Sequence, residues 1–351
     1  MALLAEAAGA AGHMRARIEG AVTDLFLPDE GRLTDQYRAA MVRLRARLVG
    51  GVEADLRQRL YARGEPALTA ALDAGPGRTA LARLLRAGVL RDEGFTALLL
   101  RRAEEYRLAG ALDVQAARAK QTDPAPAPPV LESLPSPLDE MAMSFLAAEA
   151  RRRDAFHDPA PGESELPAEL YHRLVWWAAA ALRDDLTQQG VAPAAVDRAL
   201  AAAGGELLAA YDEGDTPEGR AMRLARVLHA AGLLEDQTVV RLLAEGRLTL
   251  AAAALATRAG IAFAPAWEMM ADTGGARLLL LLRAIGMARA PAADFAFRLA
   301  SVQEEDGGAA LADRIEAFAA LDPQRAEEAL LPWRLDDGYR RALADLAGRG
   351  P

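Results

Sequence analysis

One stretch of the chain occurs twice, and it predicts a helical unit repeated along the sequence. Leu81–Asp92 reads LARLLRAGVLRD and Leu224–Asp236 reads LARVLHAAGLLED, with eight of twelve aligned positions identical and one residue inserted in the second copy. In such a unit Leu and Ala pack a helix, Gly ends it and Asp begins the next helix. The neighbourhood of Asp73 also matches that of Asp212, in the same order along the chain. We therefore expect one unit duplicated in two halves.

The composition favours an all-α protein. Just over half of the 351 residues are hydrophobic and only 5% are aromatic, and the abundant Ala and Leu are good helix formers. Between Leu33 and Leu60, apolar residues recur every three or four positions, the spacing of one helix face. The pair Gly50-Gly51 predicts a kink, a break or a close helix crossing, and Gly204-Gly205 is expected to punctuate helices. Short helices joined by short loops indicate tandem antiparallel hairpins, a HEAT-like repeat array.

Composition also divides the chain. The range 121–165 is rich in proline and predicts a stiff linker that carries one helix, 138–156. The linker would separate an N-terminal helical-repeat domain, 1–120, from a C-terminal one, 166–351. Residues 1–120 hold 19 basic and 15 acidic residues, whereas the whole chain has a net charge of −9. This asymmetry would allow the two halves to dock electrostatically, or two copies to form a homodimer.

Two stretches resemble an uncharacterised family of bacterial helical-repeat proteins. The first is Leu33–Leu60, with an LTD start, a Met and a Val-Glu-x-x-Leu-Arg core, and the second is Leu233–Met287, which ends in Leu-Leu-Arg-Ala-x-Gly. The resemblance covers most of Leu33–Ala300. It implies a HEAT-like all-α array and offers no catalytic residue to carry over.

The residue types limit the possible chemistry. There is no Cys, which excludes disulfides, thiolate metal sites and Cys nucleophiles. The four His are scattered, and His157 and His172 lack the spacing of a metal pair. No phosphate-binding glycine motif occurs. We therefore expect no cofactor, no metal and no catalytic residue.

Two groups of residues are candidates for partner binding. Arg43, Arg45 and Arg47 belong to the segment Arg32–Arg63, which has eight basic and three acidic residues. This segment could contact an acidic partner or phosphates, although a solvated helix face or contact with the acidic half is favoured. Trp267 and Met270 could line a groove for a partner helix, with core packing as the favoured alternative.

A non-enzymatic protein-interaction or regulatory scaffold is the function that these features favour, because helical arrays expose broad binding surfaces. The partner is then a protein. A nucleic-acid-binding protein that uses the Arg-rich N-terminal helix is the alternative, and an enzyme with a carboxylate-only site ranks third. No apolar run approaches the roughly 18 residues of a membrane helix, so we expect a cytoplasmic protein without a membrane.

Overall fold

A computed structural model describes residues 34–122 except 76 and 78, 127–154, 165–303 except 273 and 274, and 308–347. Every regular element in these ranges is a helix, which confirms the all-α prediction for the described part of the chain.

Sixteen α-helices lie in the described ranges. In chain order they are α1 (Asp35–Ala62), α2 (Pro66–Ala74), α3 (Ala80–Ala87), α4 (Glu93–Thr122), α5 (Leu138–Asp154), α6 (Ala168–Gln188), α7 (Pro193–Ala210) and α8 (Pro217–Ala230). The others are α9 (Asp236–Ala244), α10 (Leu248–Ala259), α11 (Phe263–Met270), α12 (Ala276–Ala284), α13 (Arg289–Gln303), α14 (Gly308–Ala320), α15 (Pro323–Leu330) and α16 (Asp337–Ala347). Short 3₁₀ turns form at Val89–Arg91, Val130–Ser133, Glu213–Asp215 and Leu331–Arg334.

Side-chain caps begin several helices at the residue types that favour this position, Thr and Asp. The Thr34 hydroxyl accepts a bond from the backbone N–H of Tyr37 at the start of α1. Thr216 caps α8 with Pro217 as its first residue, and Asp322 caps α15. Each cap satisfies a backbone N–H that has no partner within its helix.

Both glycine pairs lie inside helices, so the prediction that Gly204-Gly205 punctuates helices is wrong, and of the three alternatives for Gly50-Gly51 the break does not occur. α1 continues through Gly50-Gly51, and α7 continues through Gly204-Gly205. Tertiary contacts outweigh the low helix propensity of glycine. A Cβ atom on Gly204 would lie 2.8 Å from the ring of Trp176, so this position lets a tryptophan pack closely against α7.

The helices bury two hydrophobic cores. The first combines α1, α2, α3 and the beginning of α4 with Leu166, α6 and α7. The second combines Leu108 and Leu112 of α4 with the Val130–Ser133 turn, α5 and the helices α8 to α15. α4 is 30 residues long and contributes to both cores.

These cores do not follow the division of the sequence at residues 120 and 166. Leu174 and Leu182 of α6 are buried against the N-terminal helices, while Phe145 of α5 is buried in the second core. Val130 and Leu131, in the stretch expected to be a linker, are also buried there. Packing joins helices that are distant in sequence, which composition along the chain does not reveal.

No single helix in the described ranges is long and apolar enough to cross a membrane. α10 and α11 reach the required length and apolarity only as a pair, and they meet at a bend of 114°.

Candidate functional site: an arginine-lined cleft

A cleft of about 430 Å³ lies where the N-terminal turns of α1 face the middle of α4. Tyr37, Ala40 and Arg43 line it from α1, three or four residues apart, so they share one helix face. The facing residues of α4 have the same spacing: Ala103, Tyr106, Arg107, Gly110 and Asp113. Arg153 closes one end from α5. The volume falls within the range of roughly 300–1,000 Å³ that is usual for ligand pockets.

Arg107 is fixed by two neutral oxygens. Its Nε donates to the hydroxyl of Tyr37 at 2.7 Å, and its Nη1 donates to the carbonyl of Val302 at 2.9 Å. The guanidinium carbon also lies 5.6 Å from the centre of the Tyr37 ring, a cation–π distance. Within the described residues, no carboxylate forms an ion pair with this guanidinium, although its charge acts to lower the pKa of Glu104, three residues earlier in α4.

Arg43 is exposed on the same side of α1. It forms no ion pair or hydrogen bond with another side chain of the described ranges. Of the three arginines that the sequence marks as partner-binding, it alone lines the cleft.

Arg153 is held at the end of the cleft by Asp113. The Arg153 Nη1 and the Asp113 Oδ2 are 2.5 Å apart, and Nη2 donates to the carbonyl of Gly246 at 3.2 Å. The cleft therefore contains three guanidinium groups and one carboxylate, with Ala40, Ala103 and Gly110 forming an uncharged floor.

A network of buried charges lies next to the cleft, between the two hydrophobic cores. Its centre is Arg152 of α5, which is 4% exposed. Arg152 donates to Glu105 of α4 at 3.4 Å and to Glu165 at 3.1 Å, and it also pairs with Glu218 of α8. Carboxylates from three separate elements thus converge on one guanidinium.

Further contacts complete the network. Arg101 donates to Glu218 at 2.8 Å, the Thr249 hydroxyl donates to Glu105 at 2.8 Å, and Arg247 donates to Glu149 at 2.6 Å. Burying an unpaired charge costs free energy, so this pairing allows the charged residues of α4 to be buried where the helix runs between the two hydrophobic cores.

The pKa values of the groups in the network depend on the balance between burial and pairing. Burial acts to raise the pKa of Glu218, but the charges of Arg152 and Arg101 outweigh it and hold this pKa well below its usual value. Burial raises the pKa of Glu165 despite its arginine neighbours. Burial and then the charge of Arg152 lower the pKa of Arg102 to about 10, so Arg102 remains cationic at neutral pH.

The network leaves little space for a substrate. A cavity of about 20 Å³ lies among Arg102, Glu105, Glu149 and Thr249, which is enough for about one water molecule. Its two carboxylates already pair with arginines. Within the described ranges no group of three or more His, Asp or Glu side chains is placed to hold a metal ion.

The remaining basic residues of α1 are placed differently from Arg43. Arg45 and Arg47 are half-buried and do not line the cleft. Near the end of the helix Arg59 and Arg63 both pair with Glu206 of α7. Part of the basic segment therefore contacts the acidic half of the chain.

Trp267 and Met270 do not form a groove. They are 3% and 1% exposed and belong to the second core, which is the core packing that the sequence favoured for them. α11 is short and packs between α10 and α12, which encloses these large apolar side chains.

Sequence reasoning missed Tyr37, Arg107 and Arg153 as members of one site. The small residues on α4, Ala103 and Gly110, have helical spacing and were a usable signal, because small side chains leave room above a helix face. The facing helix could not be identified from the sequence, since Tyr37 and Arg107 are far apart along the chain.

A family model described as an uncharacterised protein conserved in bacteria, DUF2336, matches residues 114–330. The match includes the second of the two resembling stretches, Leu233–Met287, and lies beyond the first, Leu33–Leu60. It contains Arg153 but not Arg43 or Arg107. No curated protein and no solved structure matches the chain.

Proposed function

The chain belongs to this uncharacterised bacterial family, and on that premise we propose that it is a non-enzymatic protein-interaction module whose partner docks in the cleft between α1 and α4. The observation that carries the proposal is the combination of an uncharged floor with two guanidinium groups, Arg43 and Arg107, that form no ion pair with any described residue. An acidic segment of a protein fits this combination, because its carboxylates meet the guanidinium groups and its apolar atoms cover the floor. The neighbouring carboxylates are ion-paired, and the cavity beside them is too small for a substrate, which argues against catalysis.

The proposed architecture is a HEAT-like array of antiparallel hairpins that arose from a duplicated unit. Packing of consecutive helices, such as α6 on α7 and α9 on α10, supports the hairpins. The matched glycines Gly88 and Gly232 both follow a helix with positive φ values of 72° and 71°, which supports the duplication. Only glycine adopts this conformation at low cost.

A protein partner is favoured over nucleic acid because much of the basic segment is already neutralised within the chain. Arg59 and Arg63 pair with Glu206, and Arg57 pairs with Glu53. A nucleic-acid surface needs a row of cations that remain available to successive phosphates.

A selection from a displayed library of random peptides tests the proposal. The wild-type protein should enrich peptides with several Asp or Glu residues, and Arg43→Glu should abolish that enrichment because it reverses the charge at the mouth of the cleft. Arg226→Glu makes the same change at an exposed position of α8 outside the cleft and should leave the enrichment intact. A wild-type selection without acidic peptides, or one equally affected by both variants, contradicts the proposal.

A further inference from the structure

We infer that the cleft is a binding site for a phosphate monoester, carried on a phosphorylated side chain of the partner. This inference rests on the proposed function and specifies the chemical group that the same site recognises. It starts from the hydrogen-bond donors around Tyr37 and Arg107.

The Tyr37 hydroxyl has a donor to offer. Its oxygen accepts the Nε–H of Arg107 at 2.7 Å, so its own proton must point elsewhere. A phenol has one O–H donor and can accept as well. Within the described residues this O–H has no acceptor, which leaves it available to an anion in the cleft.

Arg107 contributes further donors beside that hydroxyl. Five N–H groups belong to a guanidinium, and the bonds to Tyr37 and Val302 use two of them. These bonds to neutral oxygens fix the orientation of the guanidinium and leave its positive charge in place. A fixed guanidinium beside a hydroxyl is suited to a planar, bidentate contact with an oxyanion.

Arg43 supplies a second cation from α1, the wall that faces Arg107. Together Arg43 and Arg107 carry two positive charges, while Arg153 is already paired with Asp113. A phosphate monoester carries a charge of about −1.5 to −2 at neutral pH and three acceptor oxygens. It therefore matches two guanidinium groups and one hydroxyl better than a carboxylate or a phosphodiester, each of which has a single charge.

The shape of the cleft indicates that the phosphate is attached to a larger molecule. A volume of about 430 Å³ is far more than one phosphate group occupies, and the floor beyond the arginines is uncharged. A Cβ atom on Gly110 would have no described residue within 4 Å, so in the part of the chain that the structure describes the floor is open there. The backbone and apolar side chains next to a phosphorylated residue can occupy this space.

Fluorescence anisotropy with three labelled pools of nonapeptides tests the inference. Each pool is random except at its central residue, which is phosphoserine, glutamate or serine. Wild type should bind the phosphoserine pool at least about tenfold more tightly than the glutamate pool, and the serine pool more weakly still. Arg43→Gln should weaken phosphoserine binding about tenfold or more, and Tyr37→Phe a few-fold, because each removes part of the donor set.

Two matched pairs provide the controls. Arg226→Gln removes a charge outside the cleft and should bind as wild type does. Gly110→Phe should fill the floor and abolish binding, whereas Gly205→Phe makes the same change at an exposed glycine of α7 outside the cleft and should retain it. Circular dichroism of each variant shows whether the fold is intact, and Arg43 and Gly110 are both exposed, so their replacement should not disturb the core.

The other outcomes separate this inference from the proposed function. Equal binding of the phosphoserine and glutamate pools overturns the phosphate specificity and leaves the interaction module standing. Binding of inorganic phosphate alone, with no peptide binding, overturns the inference that the phosphate is carried by a partner. It also removes the support for the interaction module. If a labelled single-stranded DNA 12-mer binds more tightly than the phosphoserine pool, and Arg43→Gln weakens that binding, both the phosphate inference and the interaction module are overturned.

Discussion

Arg152 is the middle member of the basic run Arg151-Arg152-Arg153, whose three side chains have different environments. Arg151 has a side chain that is 43% exposed, Arg152 is at the centre of the ion network, and Arg153 lines the cleft. Adjacent residues of a helix point about 100° apart, so one run can serve three environments. The sequence shows the three charges but does not show which one is buried.

Replacing Arg152 with Met should destabilise the protein by about 3–5 kcal/mol, since it leaves buried carboxylates without their partner. Urea unfolding followed by circular dichroism measures this difference. Arg151→Met is the matched control, and we expect it to cost at most about 1 kcal/mol, as is usual for an exposed ion pair. Similar losses in the two variants would show that the network does not stabilise the fold.

Single residues were predictable where their role is local. The caps Thr34, Thr216 and Asp322 bond to the backbone two or three residues ahead, so a short window of sequence contains both partners. Arg152 and Glu105 are 47 residues apart, and no local pattern links them.

At the scale of elements, α7 shows that two adjacent glycines can have different roles. Gly204 faces the Trp176 ring of α6, whereas a Cβ atom on Gly205 would have no neighbour within 4 Å. Sequence alone treats the pair as one helix-breaking signal, because it does not reveal which glycine contacts another helix.

Gly205→Ala should stabilise the protein by about 0.5–1 kcal/mol, since alanine has the higher helix propensity. Gly204→Ala should be less stable than Gly205→Ala by about 1 kcal/mol or more, because the Trp176 ring must move. Thermal unfolding compares them, and tryptophan fluorescence should change only in Gly204→Ala. Equal stabilities would mean that Trp176 accommodates the methyl group without cost.

At the scale of the whole molecule, the cores depend on helices that are distant in sequence. α1 packs against α6 and α7, although 105 residues separate the end of α1 at Ala62 from the beginning of α6 at Ala168. The Pro-rich composition of 121–165 suggested a boundary, yet Val130, Leu131 and Phe145 of this range are buried in the second core, and α4 contributes to both cores. Helix content was predictable from composition and periodicity, whereas the pairing of helices was not.

A fragment of residues 166–351 should therefore fold poorly on its own. It lacks the partners of α6 and α7, so we expect it to bind a hydrophobic dye and to unfold with less cooperativity than the whole chain. Addition of fragment 1–165 should reduce dye binding. A cooperative fragment 166–351 without dye binding would show that the predicted C-terminal domain is autonomous after all.

The positions of the first core's residues along the chain have a consequence for synthesis on the ribosome. Its N-terminal members end at Leu99, and its last member is Leu207. The intervening chain takes about 5–20 s to synthesise at typical bacterial rates. During this interval, the apolar faces of α1 and α3 have been made but their partners have not. A nascent chain paused in this window should present these faces to chaperones, and one paused well beyond α7 should not.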